Sequence, residues 1–167
     1  MTEKEKILEE LTKYILQEMA LSKKALISKL LDLVPVVIEH LVLIMLYPEN
    51  NKLNQWKGEI KGNSSKYYKL KQSNKYPTYD DLSGDYLQTI YETVDDQLVY
   101  YIDEAYRKES ENLPKYISIK NIKLDKMKEL IKTYFTTICK NIDKNTGIVD
   151  SNLIYKLLDD IITEYNK

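Results

Sequence analysis

The sequence predicts an all-α protein, an antiparallel bundle of five or six helices forming one domain over residues 1–167. Apolar residues recur at intervals of three and four through most of the chain, and no stretch alternates long enough to demand a sheet. A third observation fixes the centre. The most apolar stretch, Leu30–Tyr47, marks the helix that the others must cover.

The first helix is expected over Glu3–Met19, where Ile7, Leu8, Leu11, Ile15 and Met19 share a face. Ser22 suits the N-cap of a second, Lys23–Leu46, striped by Leu26, Leu30, Leu33, Val37, Leu41 and Ile44. Between Leu41 and Leu46 the apolar surface widens to nearly the full circumference, so this helix belongs at the core. Pro35 lies inside it and cannot donate to the carbonyl of Leu31, which predicts a kink there or a break into two shorter helices. Such a kink would leave a carbonyl open, with a small-molecule pocket as one outcome.

Pro48, Glu49, Asn50 and Asn51 end that helix in a turn. Trp56 and Ile60 suggest a short third helix stopped near Gly62-Asn63-Ser64-Ser65, and a lysine- and tyrosine-rich loop around 62–77 follows. Thr78 with Asp81 makes a capping box for a fourth helix, Tyr79–Glu109, whose length calls for an internal bend or a protruding end. It carries Leu82, Tyr86, Ile90, Val94, Leu98, Tyr101 and Ala105. Leu113-Pro114 closes it, and Tyr116–Ile119 reads as a short extended link. A fifth helix should span Asn121–Asn141, and Asp150 or Ser151 caps a sixth, striped by Ile154, Leu157, Leu158, Ile161, Ile162 and Tyr165.

Composition narrows the function classes. Lysine plus arginine nearly balance aspartate plus glutamate, 25 against 26, so the whole molecule has no strong preference for nucleic acid or membrane. Arg107 is the sole arginine, which leaves bidentate phosphate or guanine contacts largely unavailable. Cys139 is the one cysteine, so no internal disulfide forms, and its place in a helical stripe makes it a core filler. The charged start, Met1–Lys6, does not read as a secretory signal. Glu39 and His40 cut Leu30–Leu46 into apolar blocks too short for a bilayer of about 30 Å, and the cytoplasm is the expected location, with no membrane association.

Chemistry-bearing patterns are sparse. Glu39 and the one histidine, His40, are adjacent on a helix and point about 100° apart, so they cannot share an ion. One histidine and one cysteine cannot supply a structural zinc site or paired Glu-x-x-His motifs. Asp143-Lys144-Asn145-Thr146-Gly147 lacks the glycine and glutamate of a calcium loop, because Ile148 and Ile154 stand there, and reads as a helix-to-helix turn. Neither a nucleophile elbow nor a phosphate loop is present. No enzyme activity, catalytic residue, metal or cofactor is therefore expected, and His40 reads as a buried, hydrogen-bonded spacer.

Charge and tyrosine distribution say more. Residues 52–75 hold seven lysines against Glu59, residues 80–111 hold ten acids against Arg107 and Lys108, and residues 115–144 turn basic again. Such alternation is satisfied inside the fold, between subunits, or by a partner. The leading expectation is protein interaction or homo-oligomer formation, with Tyr86, Tyr100, Tyr101, Tyr106 and Tyr165 as candidate anchors among the fifteen tyrosines. The alternative is a nucleic-acid contact through Lys52, Lys57, Lys61, Lys66, Tyr67, Tyr68, Lys69, Lys71 and Lys75, lysines holding the backbone while tyrosines stack bases.

His40-Leu41-Val42-Leu43-Ile44, the turn at Pro48-Glu49, and Trp56-Lys57-Gly58-Glu59-Ile60, preceded by Leu11, Met19 and Ser22, follow an order that resembles a bacterial family. Over roughly residues 11–60 the chain resembles domain of unknown function 29, although Leu43-Ile44 replaces that family's usual Lys-Trp and one residue is inserted before Trp56. The resemblance implies a compact antiparallel helical bundle with His40, Pro48 and Trp56 at recurring positions, and it implies no reaction or cofactor.

Overall fold

A computed structural model of the chain describes residues 1–65, 67 and 75–167, with the backbone alone for residues 18–22. Among these residues the fold is an all-α bundle of seven helices: α1 Glu3–Leu31, α2 Val34–Leu46, α3 Leu53–Ser64, α4 Tyr79–Leu82, α5 Asp85–Glu109, α6 Leu124–Lys140 and α7 Ser151–Tyr165.

The first two helices divide differently from the reading of the sequence. α1 runs without interruption through residues 20–23 to Leu31, so Ser22 is not an N-cap. Nothing between Met19 and Lys23 removes a backbone donor, and a serine alone does not stop a helix. The break comes instead at Asp32–Leu33, where Asp32 N–H still donates to Ser28 and Leu33 N–H to Leu30. Pro35 therefore sits in the first turn of α2, where a missing N–H costs nothing and its fixed φ suits the helix. Of the two outcomes the proline allowed, the chain takes the break.

α2 is the hub. Nine of its thirteen residues are buried, on every side of the helix, so it has to be surrounded rather than merely covered. α1, α3, α5, α6 and α7 all pack on it. Ile38, Leu41, Val42, Ile44 and Met45 lose their solvent exposure entirely. At roughly 1.5–3 kcal/mol for each large apolar side chain, the burial of this helix is a large contribution to stability.

The long acidic helix has an internal bend, one of the two outcomes its length allowed, and the bend lies near its start. Thr78 N–H donates to Asp81 Oδ2 at 2.8 Å in the expected capping box, but α4 lasts a single turn before Ser83 and Gly84 redirect the chain into α5. The last two helices follow the sequence reading closely, and Asp150 caps α7 by accepting from Asn152 N–H at 2.8 Å. Asp143 Oδ1 accepts from the N–H groups of Asn145 and Thr146, and Gly147 takes φ 68°, which makes the 143–147 loop the turn expected of it.

Hydroxyls and amides fasten the connections. Tyr47 donates to the carbonyl of Lys115 at 2.7 Å and Tyr106 to that of Ile117 at 2.8 Å, holding the link after α5 against the end of α2. Lys123 Nζ donates to the carbonyl of Tyr165, and Asn166 Nδ2 donates to that of Met45, which anchors the end of α7 to α6 and α2.

Only the second half of α1 joins this core. Ile27 and Leu30 are buried, whereas every residue from Met1 to Gln17 is exposed. Leu41→Ala should accordingly lower unfolding free energy by about 2–5 kcal/mol, while Leu11→Ala should change it by less than about 0.5 kcal/mol. Chemical denaturation of the two variants checks both figures.

Candidate functional site

Four of the five tyrosines expected at an interface face the bundle's own interior. Tyr86 is 3 % exposed and its hydroxyl meets that of Tyr67 at 3.3 Å. Tyr101, Tyr106 and Tyr165 bury their rings in helix seams, with the hydroxyl of Tyr106 engaged as above and that of Tyr165 accepting from Lys123 N–H. Tyr100 alone stays on the surface, 57 % exposed and edge-on to Tyr101. A phenol at helical spacing seals a seam as readily as it anchors a partner, and the spacing does not distinguish the two.

The basic segment is only partly a free surface. Lys57 Nζ lies 2.5 Å from Asp159 of α7, Lys52 Nζ donates to Gln55, and Tyr67 is 2 % exposed, so that ring is closed to a stacking base. Lys61 is half-buried and Lys75 exposed, while Lys66, Tyr68, Lys69 and Lys71 lie outside the described residues. The second basic segment is engaged as well, with Lys132 on Asp95 of α5 at 2.6 Å. Charge alternation is thus satisfied within the fold at several points.

The polar residues of α2 serve packing. Glu39, 4 % exposed, accepts from Lys108 Nζ through both oxygens at 2.8 and 3.0 Å, so its charge is compensated where α2 meets α5. His40 Nδ1 faces the carbonyl of Val36 at 2.7 Å and Nε2 faces the carboxylate of Glu59, which makes it the hydrogen-bonded spacer read from the sequence, with its ring at a half-buried position. Trp56 is buried in α3, and Pro48 begins the turn beyond α2. Beside the Pro35 break, Leu30, Val34, Val37 and Phe135 enclose a crevice too narrow for a water molecule. Among the described residues no three histidine, cysteine, aspartate or glutamate side chains gather as metal ligands, and no helix is long and apolar enough to cross a membrane.

One surface stands apart from all of these. Thr2 and Glu5 close a capping box at the start of α1, Thr2 N–H donating to Glu5 at 2.9 Å and Glu5 N–H to Thr2 Oγ1 at 3.2 Å. Glu9 and Lys13 pair across one turn of the helix. At 100° per residue, Ile7, Leu8, Leu11, Tyr14 and Ile15 fall within an arc of about 120° on the opposite side. All five are between 51 and 62 % exposed. Isolated side chains of this exposure are ordinary on a protein surface, but a continuous apolar stripe is not. The sequence displayed the stripe. What it did not display is that α2's neighbours leave the first half of α1 with nothing to pack against.

Comparison of the chain with protein-family models, with curated proteins and with solved structures finds no match.

The interior of the bundle carries a pH signature. Burial pushes the Cys139 thiol up to about 12 and raises the phenols of Tyr67, Tyr86 and Tyr134 well above their ordinary value. Groups whose folded values are raised favour the folded state while protonated, so their contribution is complete below the unfolded thiol's value of 9.0 and is lost as pH climbs toward 12. Denaturation midpoints should fall across that window, and Cys139→Ala should reduce the slope by up to about 1.4 kcal/mol per pH unit. A midpoint constant from pH 9 to 12 contradicts this.

Proposed function

We propose that the chain is a non-enzymatic helical interaction module of the cytoplasm, in which the packed bundle holds out the first half of α1 as a docking arm. The observation that carries this reading is the exposed stripe of Ile7, Leu8, Leu11, Tyr14 and Ile15, continuous with a helix whose second half is anchored in the core.

Physical economy supports it. Burying a large apolar side chain in full gains roughly 1.5–3 kcal/mol, and five half-exposed ones leave much of that gain to a docking helix. The arm spans residues 3–17, about 22 Å of helix, close to the length at which a helix without packing becomes marginal in water. Its capping box and its continuity with the anchored half provide a nucleus from which a partner completes the order. Inside the bundle several polar groups already have structural tasks: Glu39 neutralises Lys108, His40 ties α2 to α3, Tyr67 bonds to Tyr86, and Tyr134 donates to Ser64. This supports an assembly role over a reaction centre.

A second copy of the chain and a different protein are both occupants of the general kind this reading allows. A photo-crosslinking amino acid placed at Leu11 in cells should give one discrete adduct, and the same group placed at Lys13 on the opposite side should give none. An adduct of twice the chain's mass identifies self-association. Equal labelling from both positions, or none from either, overturns the docking arm.

A further inference from the structure

On the reading of the arm as a docking surface, the spacing of its side chains selects the occupant. Ile7, Leu8, Leu11, Tyr14 and Ile15 are placed symmetrically about Leu11: an adjacent pair, a single residue three positions on, and a second adjacent pair three positions beyond. Ile7 and Tyr14 lie to one side of Leu11 around the helix, and Leu8 and Ile15 to the other. The pattern is the same in either chain direction. A face with this property is self-complementary about a two-fold axis, which is the requirement for an isologous contact.

We infer that the arm pairs with the arm of a second copy of this chain, antiparallel, about a two-fold axis at Leu11. In that pairing Leu11 meets the partner's Leu11 on the axis, Ile7 meets the partner's Tyr14, and Leu8 meets the partner's Ile15. Each pair is level to within one residue, about 1.5 Å along the helix.

The same register keeps the two bundles apart. The partner's Glu3 comes level with position 19, and α1 enters its own core at Ile27, about 12 Å further along. A parallel pair would match the apolar side chains as well, but it brings both bundles to one end of the seam and aligns the helix dipoles side by side. The antiparallel pair opposes those dipoles.

Charge points the same way. Residues 3–17 carry four glutamates and three lysines, so the arm is nearly neutral and offers little to a strongly charged partner. Helices that lie on membranes concentrate lysine and arginine on their polar side, whereas here Glu9 and Lys13 pair with each other. Burying the stripe removes roughly 50–100 Å² at each side chain, or about 500–1,000 Å² for both copies, below the size of stable specific interfaces and in the range of weak, transient ones. The dimer is therefore reversible and concentration-dependent.

Sedimentation of the full chain from about 1 μM to about 1 mM tests the pairing. Monomer should pass into dimer across that range, and Leu11→Asp should raise the dissociation constant at least about tenfold, because two leucines leave the seam and two carboxylates meet on its axis. Orientation is read by mild oxidation of Ile7→Cys mixed with Tyr14→Cys, which should give a mixed disulfide dimer far in excess of that from either variant alone. The native Cys139 is buried and does not compete. Equal cross-linking of Ile7→Cys by itself overturns the antiparallel register, and a dimer unaffected by Leu11→Asp overturns the contact. A chain that stays monomeric throughout overturns self-pairing; the arm then survives only if Leu11 still cross-links in cells to one adduct of another mass, and falls with this inference if it does not.

Discussion

A helix that is apolar on all sides has to be surrounded, and the architecture of this chain follows from that requirement on α2. Its thirteen residues offer no wet face broad enough to leave open, so five other helices pack around it. The two polar residues it carries are reconciled with burial by geometry: Glu39 meets Lys108 at the seam with α5, and His40 bridges to Glu59 of α3. Both contacts tie the hub to a neighbouring helix, so the residues that interrupt the apolar run also position the helices that bury it.

Pro35 decides how much of the chain this hub retains. Without it, the helical pattern could continue from α1 straight into Val37–Leu46. With it, backbone bonding stops at Leu31–Leu33, and α2 begins on a new axis with the proline in its first turn. Among the described side chains, α1 buries Ile27 and Leu30 in the core, and residues 1–17 stay exposed beyond the packed region. The exposed arm is thus a consequence of where one residue lacks an N–H, combined with a core already filled by α3, α5, α6 and α7.

Much of the fold was legible because local rules and burial agree. The Thr78/Asp81 capping box, the cap at Asp150, the left-handed Gly147 and the stripes of α6 and α7 each rest on residues within a few turns of one another. The boundary near residue 20 was misplaced because Ser22 resembles a cap without compelling one, while the bend expected in the fourth helix had no legible position because Ser83–Gly84 gives only a weak local signal within a long periodic pattern. The candidate surface was harder to read. Periodicity identifies which side chains share a face, but Ile7, Leu11 and Ile15 repeat just as Ile154, Leu158 and Ile161 do, and only tertiary geometry separates the exposed set from the buried one. Tyrosines posed the same ambiguity in reverse: Tyr86, Tyr101, Tyr106 and Tyr165 have the composition of an interface and the position of a seam.

Amide hydrogen exchange along α1 measures directly how unevenly the bundle covers that helix. In dilute, monomeric protein, amides of residues 7–17 should exchange orders of magnitude faster than those of Ile27–Leu31 and of α2, which open only with global unfolding. Equal, high protection along the whole of α1 would mean that its first half is packed in the monomer and that no exposed arm exists.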